Sequence, residues 1–357
     1  MTHRIFVINP GSTSTKLSLF HDEKQILSEQ IHHSLDQLKE FSTIIDQYHF
    51  RKETIEQFIN KRKLPLTSLS VVVGRGGLLH PVPSGTFRVN NRMVEDLTAA
   101  RYGEHASNLG ALLAKGLADP LQIPAYIVDP VVIDELDNVS RIAGHPEFER
   151  LSLFHALNQK AAAREAASRI GKQYDEANII VAHLGGGISV GLHKNGRVVD
   201  VNNALDGDGP FSPERTGTVP AGQLVEICFK GKYSHDQIRR ILKGEGGMVS
   251  YLGTNSTKEV VERIEAGDSK AELIYMAMAY QIAKQIMSLF PGADSNIDAV
   301  VLTGGIVHDE RYMVSWIKQM LGRGVCIVVI PGEMEQKALA LGALRVLLGE
   351  EASQEYR

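Results

Sequence analysis

Cysteine is scarce in this sequence. The two cysteines, Cys228 and Cys326, lie far apart and follow no metal-ligand spacing. A disulfide-rich scaffold and a cysteine zinc site are therefore excluded. We expect both thiols to be reduced and half-buried, as in a cytoplasmic protein.

Long apolar runs and a surplus of basic residues are also missing. No stretch reaches 18 apolar residues, and the run Ile5–Ile8 is too short for a signal peptide or a membrane span. The net charge of −4 and the pI of about 6.4 leave no dominant basic face, so we expect neither a nucleic-acid nor a membrane partner. The composition, 43% hydrophobic and 22% charged, is typical of a soluble globular enzyme.

Strand and helix patterns alternate along the chain. Short β-branched runs predict strands at residues 5–8, 16–20, 69–73 and 125–128, and helical periodicity covers residues 34–63, 92–118, 157–170 and 336–348. This alternation predicts an α/β fold. The length favours two domains. We expect an N-terminal domain at 1–150, joined by the C-terminal helix at about 334–357, and a second domain at 151–333.

One pattern occurs more than once. Residues 5–12 and 179–186 each hold four apolar residues, a polar one and a glycine turn, and a β-alternating segment follows each. A third apolar run ends in glycines at residues 299–305. Any α/β chain contains several such strands, which is the plain alternative. The repeat favours a duplicated domain pair with phosphate-binding hairpin turns.

The first turn is rich in groups that bind anions. Asn9, Gly11, Ser12, Ser14 and Lys16 combine close backbone approach, neutral hydrogen-bond donors and one point charge. The spacing is neither that of a Walker A loop nor that of a Rossmann fingerprint. The alternative is an ordinary polar hairpin turn.

The second and third turns are glycine-rich. His183 and the glycines Gly185, Gly186 and Gly187 follow a buried strand, and Gly304 and Gly305 follow the third. Consecutive glycines cost backbone entropy, so they indicate a place where a ligand approaches the main chain. A flexible tight turn and a plain strand-to-helix turn are the alternatives.

Taken together, these turns resemble the nucleotide site of the superfamily that contains acetate kinase, sugar kinases and actin. The segment Asn9–Lys16 is similar to the opening motif of the acetokinase family, and Asp206–Gly217 resembles the butyrate kinases within it. The resemblance implies duplicated actin-like, ribonuclease H-like domains with ATP or ADP and Mg²⁺ in a cleft between them. It also implies a homo-oligomer that phosphorylates butanoate, and branched acids such as isobutyrate, with ATP.

The same resemblance assigns roles to residues outside the turns. Its substrate-clamping arginines fall on Arg75 and Arg215, and its histidine falls on His155. Asp129 takes the place of the catalytic aspartate and a metal ligand. The late metal-side carboxylate falls on Glu335, with Glu333 as the alternative register. Without the family, each has a structural alternative: a loop arginine, a salt bridge, a turn aspartate, a core histidine or a helix-start glutamate.

These residue types suit carboxyl phosphorylation. A carboxylic acid of pKa ~4.5 is already ionised at neutral pH, so no general base is needed. Charge neutralisation by forked arginines is the main requirement. Because Gly76-Gly77 follows Arg75, we expect extra room for an acyl chain longer than acetate. The rivals are an acetate or propionate kinase and a nucleotide-dependent actin-like binding protein, which would not need two carboxylate clamps.

Overall fold

The computed structural model of the protein describes residues 2–357, and the chain divides into two compact units. The first comprises residues up to Ile133 and again Met334–Arg357, and the second comprises Asp134–Glu333. The division therefore falls after residue 133, whereas the sequence predicts it at 150. Residues just beyond 133 belong to the second unit because they bind its sheet: the Glu135 carboxylate accepts the Val198 N–H at 2.9 Å.

The N-terminal segment supplies most of the first unit. Its strands are β1 (Arg4–Pro10), β2 (Ser14–His21), β3 (Lys24–His32), β4 (Val71–Arg75), β5 (Thr86–Arg88) and β6 (Ala125–Val128), and its helices are α1 (Leu35–Leu38), α2 (Tyr48–Arg62), α3 (Asn91–Thr98) and α4 (Asn108–Ala118). Residues 5–8 of β1 are fully buried, because helices cover both faces of the sheet. β1 pairs antiparallel with β2 and parallel with β4.

The second unit is built around a smaller sheet. Its helices are α5 (Asn138–Arg141), α6 (Ala156–Arg169), α7 (Ala221–Phe229), α8 (His235–Leu242), α9 (Gly247–Leu252), α10 (Thr257–Glu265), α11 (Ser269–Ser288) and α12 (Ser315–Leu321), and its strands are β7 (Asn178–Leu184), β8 (Ile188–Lys194), β9 (Arg197–Val201), β10 (Ala299–Gly304) and β11 (Ile327–Pro331). The strand order is β11-β10-β7-β8-β9. Its core lies between this sheet and α11.

The C-terminal segment returns to the first unit as α13 (Glu335–Leu348) and β12 (Gln354–Glu355). α13 packs on β1, β4 and β6, and β12 completes a sheet of order β12-β5-β6-β4-β1-β2-β3. The segment is anchored at its end, because the Tyr356 hydroxyl donates to the buried Asp96 carboxylate at 2.8 Å.

The two sheets share a motif. In each, a three-stranded antiparallel meander, β1-β2-β3 or β7-β8-β9, has a parallel strand beside its first member, β4 or β10. The predicted duplication and the α/β class are confirmed.

Some sequence-based expectations were incomplete or wrong. Strand β3 was not predicted because its residues are polar and largely exposed, and helices α5 and α7–α12 were not predicted either. Both cysteines are exposed rather than half-buried. Within residues 2–357, none of the helices combines the length and apolar character needed to span a membrane.

Candidate active site

The first predicted turn joins β1 to β2 in the first unit. It closes with a hydrogen bond of 2.8 Å from the Gly11 N–H to the Ser14 carbonyl, and Ser12 at its tip is exposed. Asn9 and Lys16 face each other as a cross-strand pair at its base. The polar groups predicted to bind phosphate therefore share one hairpin end.

A fully buried arginine lies behind this turn. The guanidinium of Arg51, in α2, donates to the carbonyls of Ser12 at 3.2 Å and Ser14 at 3.1 Å and to the Thr15 hydroxyl at 3.1 Å. It also donates twice to the Gln47 amide oxygen, at 3.1 and 2.9 Å. Burial lowers the pKa of Arg51 to about 10, so it remains a cation at neutral pH. Among residues 2–357, no carboxylate pairs with it.

His33, the residue directly after β3, supports the same turn. Its backbone N–H donates to the Thr13 carbonyl, and its ring Nε2 lies 2.9 Å from the Thr15 hydroxyl. Burial and the nearby Arg51 lower the pKa of His33 to about 4. Because Thr15 already accepts from Arg51, its hydroxyl hydrogen is available for a neutral His33 Nε2.

Neither Arg51 nor His33 was predicted as functional. Arg51 lies in a polar helical segment with many charged residues, and strand β3, which ends one residue before His33, was not predicted. Nothing in the local sequence pattern distinguishes either residue. The topology alone brings them beneath the turn.

Arg75, Asn9 and Glu335 form a cluster in the first unit. Arg75 binds Glu335 through two nitrogens, Nη2 to Oε1 at 3.0 Å and Nη1 to Oε2 at 3.2 Å. The Asn9 amide donates to Glu335 Oε2 at 2.8 Å. The side chains of Arg75 and Glu335 are 30% and 14% exposed. Strand ends and the start of α13 thus bring three predicted site residues together; Glu333 belongs to the other unit.

Asp129 holds a strained backbone conformation at the end of β6. Its φ is +39°, although Pro130 follows and a residue before proline favours extended angles. Its Oδ1 accepts the Gly85 N–H at 2.9 Å, and its own N–H donates to the Gly85 carbonyl. Such strain is often found at functional sites. Asp129 is therefore a turn residue, as the structural alternative from the sequence had it, and its backbone is strained as well.

The expectation about Gly76-Gly77 is wrong. A Cβ at Gly77 would lie 2.6 Å from Cα of Asn108, at the start of α4, and a Cβ at Gly76 would lie 2.6 Å from Cβ of Pro130. The space beside these glycines is filled by the protein's own chain. They permit close packing and do not enlarge an acyl pocket.

The second predicted turn, in the second unit, joins β7 to β8 and contacts residues 206–217. The Ser212 hydroxyl donates to the Gly186 carbonyl at 2.6 Å. The Arg215 guanidinium lies so close to Gly187 that a Cβ there would overlap it, and Arg215 also donates to the Ala204 carbonyl. Burial lowers the pKa of Arg215, with Glu214 and Asp206 opposing. Glycine at 187 is required for this contact.

Two histidines stack beside this turn. The rings of His155, at the start of α6, and His183, at the end of β7, lie 3.9 Å apart at 14°. The Asn158 amide nitrogen donates to the Thr303 hydroxyl at 3.3 Å and lies 2.8 Å from His183 Nδ1. His183 Nδ1 therefore accepts, which puts the proton of neutral His183 on Nε2.

The third turn follows β10, next to β7. Gly304 has φ +98°, and a Cβ there would collide with the Leu184 backbone, so glycine is required by both conformation and space. Apart from Gly305 itself, its chain neighbours and its own helical turn, no atom lies within 4 Å of the Cβ position at Gly305. Close packing explains Gly304, whereas Gly305 leaves open space beside the main chain.

The predicted metal ligands agree in type with Mg²⁺. Among residues 2–357, no three His, Cys, Asp or Glu side chains converge in a way that would hold a metal ion. Mg²⁺ commonly takes only one or two carboxylates, together with waters and substrate phosphates. Asp129 and Glu335, both in the first unit, supply such oxygens, although Glu335 is bound here by Arg75 and Asn9.

Comparison with known proteins supports this fold. Residues 150–323 match the sequence model of the acetokinase family. The crystal structure of Porphyromonas gingivalis acetate kinase is 17% identical with a TM-score of 0.74, covering 97% of this chain and 100% of that one. A propionate kinase from Francisella tularensis subsp. tularensis SCHU S4 is 18% identical, with a TM-score of 0.72 and coverages of 95% and 98%. Acetate kinase from Entamoeba histolytica is 15% identical with a TM-score of 0.72, covering 95% of this chain and 98% of that one.

These matches show two things: the fold of the chain, and the sequence family that one segment of it resembles. The whole chain has the duplicated actin-like fold of the acetate and propionate kinases. Within it, the segment 150–323 is acetokinase-like in sequence as well, and that segment carries His155, His183 and Arg215.

Proposed function

We propose that this protein is an ATP-dependent carboxylate kinase of the acetokinase type, which transfers the γ-phosphoryl group of ATP directly to a short-chain carboxylate. The observation that carries the proposal is the position of Arg215, whose guanidinium lies against Gly187 of the second turn. A forked cation on a glycine turn is suited to phosphoryl oxygens. The acetokinase match over residues 150–323 supports the same conclusion.

The reaction needs little covalent chemistry from the protein. The substrate carboxylate is already ionised, and the difficulty is the approach of two anions. Arg75 and Arg215 reduce this repulsion, and His155 donates a hydrogen bond to the transferring group. Asn9, Ser12, Ser14 and Lys16 hold phosphates at the first turn, and the glycines of the second and third turns let the nucleotide approach the main chain.

Asp129 and Glu335 would hold Mg²⁺ together with the nucleotide phosphates. When bound, the ion neutralises phosphate charge. Arg75 occupies both Glu335 oxygens in the present arrangement, so the pair must open or share Glu335 when the metal–nucleotide complex binds.

The proposed acceptor is butanoate or a branched acid of similar size. The support is the resemblance of residues 206–217 to the butyrate kinases, since the argument from Gly76-Gly77 no longer applies. Acetate or propionate is the second candidate, because solved proteins with this fold include acetate and propionate kinases. An actin-like binding protein would leave Arg215 against the turn without a chemical role.

Acyl phosphate trapping distinguishes these candidates. The protein is mixed with Mg-ATP, hydroxylamine and one acid at a time, from acetate to pentanoate with isobutyrate included, and hydroxamate is measured. We expect the highest kcat/KM with the four-carbon acids. A maximum at acetate or propionate selects the second candidate, and ATP hydrolysis that no acid affects contradicts the kinase proposal. Sedimentation of the same preparation tests the expected homo-oligomer.

A further inference from the structure

A continuous chain of hydrogen-bonded side chains leads away from His155 inside the second unit. His155 Nδ1 lies 2.9 Å from the Ser189 hydroxyl, and Gln159 Nε2 lies 2.7 Å from the same hydroxyl. Gln159 Oε1 lies 3.1 Å from His193 Nε2, and His193 Nδ1 lies 2.8 Å from the Tyr174 hydroxyl. Ser189, Gln159 and His193 are fully buried.

The local folds explain the alignment. Gln159 follows His155 by one turn of α6, so the two side chains lie on the same helix face. Ser189 and His193 lie four residues apart on β8 and thus share one face of that strand. Gly191 lies between them, and a Cβ there would come within 2.7 Å of Gln159 Oε1. Glycine at 191 makes the room that Gln159 occupies.

The direction of the hydrogen bonds follows from one backbone group. Gln159 Nε2 also lies 3.0 Å from the Ser189 carbonyl oxygen, which can only accept. The amide nitrogen must therefore face Ser189, and the amide oxygen must face His193. His193 then donates from Nε2, and its Nδ1 accepts from Tyr174.

The charge state of His193 agrees with this direction. Full burial, with Lys160 and Arg164 nearby, lowers its pKa well below the ordinary value of 6.5. A neutral imidazole has one donor and one acceptor nitrogen, as the hydrogen-bond chain requires of His193.

The same reasoning sets the proton on His155. The Ser189 hydroxyl accepts from Gln159, so its own hydrogen needs an acceptor, and among residues 2–357 His155 Nδ1 supplies it. The reverse arrangement, with His155 Nδ1 donating, would leave the Ser189 hydrogen buried without an acceptor, which is costly.

We propose that Ser189 and Gln159 are positioning residues that hold His155 in the tautomer with its proton on Nε2. In this state His155 presents an N–H donor, rather than a lone pair, on the side of the ring opposite Ser189. An anionic phosphoryl group or carboxylate is bound by a donor and repelled by a lone pair. The link to catalysis rests on the proposed kinase function, whereas the tautomer itself does not.

The tautomer is measured directly by NMR of the full-length protein labelled with ¹⁵N-histidine. The His155 signals are assigned by their loss in His155→Gln. In the wild type we expect a protonated Nε2 and an unprotonated Nδ1 at neutral pH. Gln159→Glu presents a carboxylate that takes the Ser189 hydrogen, so His155 should move toward the Nδ1-protonated form. Ser189→Ala should give a mixture of the two tautomers, and Ser189→Thr, which keeps the hydroxyl, should restore Nε2.

Kinetics separate the tautomer from its use. Gln159→Glu and Ser189→Ala should lower kcat by about 10- to 100-fold, the same range as for losing the hydrogen-bond partner of a metal-ligating histidine. The KM for ATP should stay within about twofold, because binding at the glycine turns does not depend on the tautomer. Should Ser189→Ala fail to fold, Gly191→Ala displaces the Gln159 amide and serves as the second variant.

Two results would overturn the inference: an Nδ1-protonated His155 in the wild type, or an Nε2-protonated His155 unchanged in every folded variant. If the tautomer shifts as expected but the protein has no carboxylate kinase activity, the proposed function is refuted, whereas the inference about the hydrogen-bond chain stands.

Discussion

His33 should make the first unit sensitive to acid. Its pKa is about 4 in the folded protein and 6.5 when unperturbed, so folding favours the neutral ring. Below pH 6.5 the unfolded chain binds a proton that the folded chain resists. The stability that His33 contributes is therefore complete above pH 6.5 and is lost as the pH falls toward 4. The difference between the two values corresponds to about 3 kcal/mol, of which about 2.5 kcal/mol is lost by pH 4.5.

The structural reason lies beneath the first turn. His33 shares the Thr15 hydroxyl with the buried Arg51, at 2.9 and 3.1 Å. Protonation would place a second cation beside the first, and both side chains are buried. It would also leave the Thr15 hydrogen without its acceptor. Coulomb repulsion and a lost hydrogen bond act in the same direction.

The assay compares the wild type with His33→Gln, which cannot titrate in this range. Hydrogen exchange of the β1 and β2 amides reports the stability of the first unit at pH 7.5, 5.5 and 4.5. The advantage of the wild type over the variant should shrink by about 2.5 kcal/mol between the first and last pH. Fluorescence of Trp316, in the second unit, is the internal control and should not distinguish the two proteins.

A constant difference between the two proteins across this pH range would refute the reasoning. An NMR titration gives an independent check, and a His33 pKa near 6.5 in the folded protein would show that burial and Arg51 do not act on the ring as argued.

Three further predictions concern single residues. If the proposed function is correct, Arg75→Ala and Arg215→Ala should each lower kcat/KM by about 10²–10⁴-fold, since each would remove charge stabilisation in the transition state. Arg345→Ala, which breaks an ion pair of similar burial, is the control and should retain wild-type kinetics. Arg51→Met should raise the KM for ATP and lower the melting temperature, because it removes the guanidinium that donates to the Ser12 and Ser14 carbonyls and to the Thr15 hydroxyl. Arg51→Lys should recover part of both, and an unchanged KM would show that the turn holds its shape without this side chain. Gly77→Ala should lower the unfolding free energy without changing the ratio of butanoate to acetate turnover, and a changed ratio in a folded variant would restore the pocket hypothesis.

The fold was predictable where apolar strands end in distinctive turns. The strand at 5–8, the hairpin after it and the matching hairpin at 179–193 were recognised because buried strands give continuous apolar runs. Strand β3 was not predicted because an exposed edge strand has no continuous apolar run. The division after residue 133 escaped because it depends on hydrogen bonds, such as that from Val198 to Glu135, between residues far apart in sequence.

Candidate site residues could be proposed from the sequence only where a residue type is distinctive in its local motif. Glycines and hydroxyls in a turn can be read directly, whereas Arg51 and Gln159 lie in ordinary helical segments. Their roles arise from tertiary contacts with turns and strands up to 39 residues away along the chain. Roles that depend on such contacts are invisible to motif spacing.

The glycines show a second limit of sequence reasoning. Glycine marks places where a side chain does not fit, but the sequence does not say whether a ligand or the protein occupies the space. At Gly77 the neighbour is the α4 backbone, at Gly304 it is the β7 strand, and at Gly187 it is the Arg215 guanidinium. Only the last places a group with anion-binding chemistry against the turn. If the proposed function is correct, the selectivity of the first and second turns for anions depends on the cations beside them, Arg51 in the first unit and Arg215 in the second.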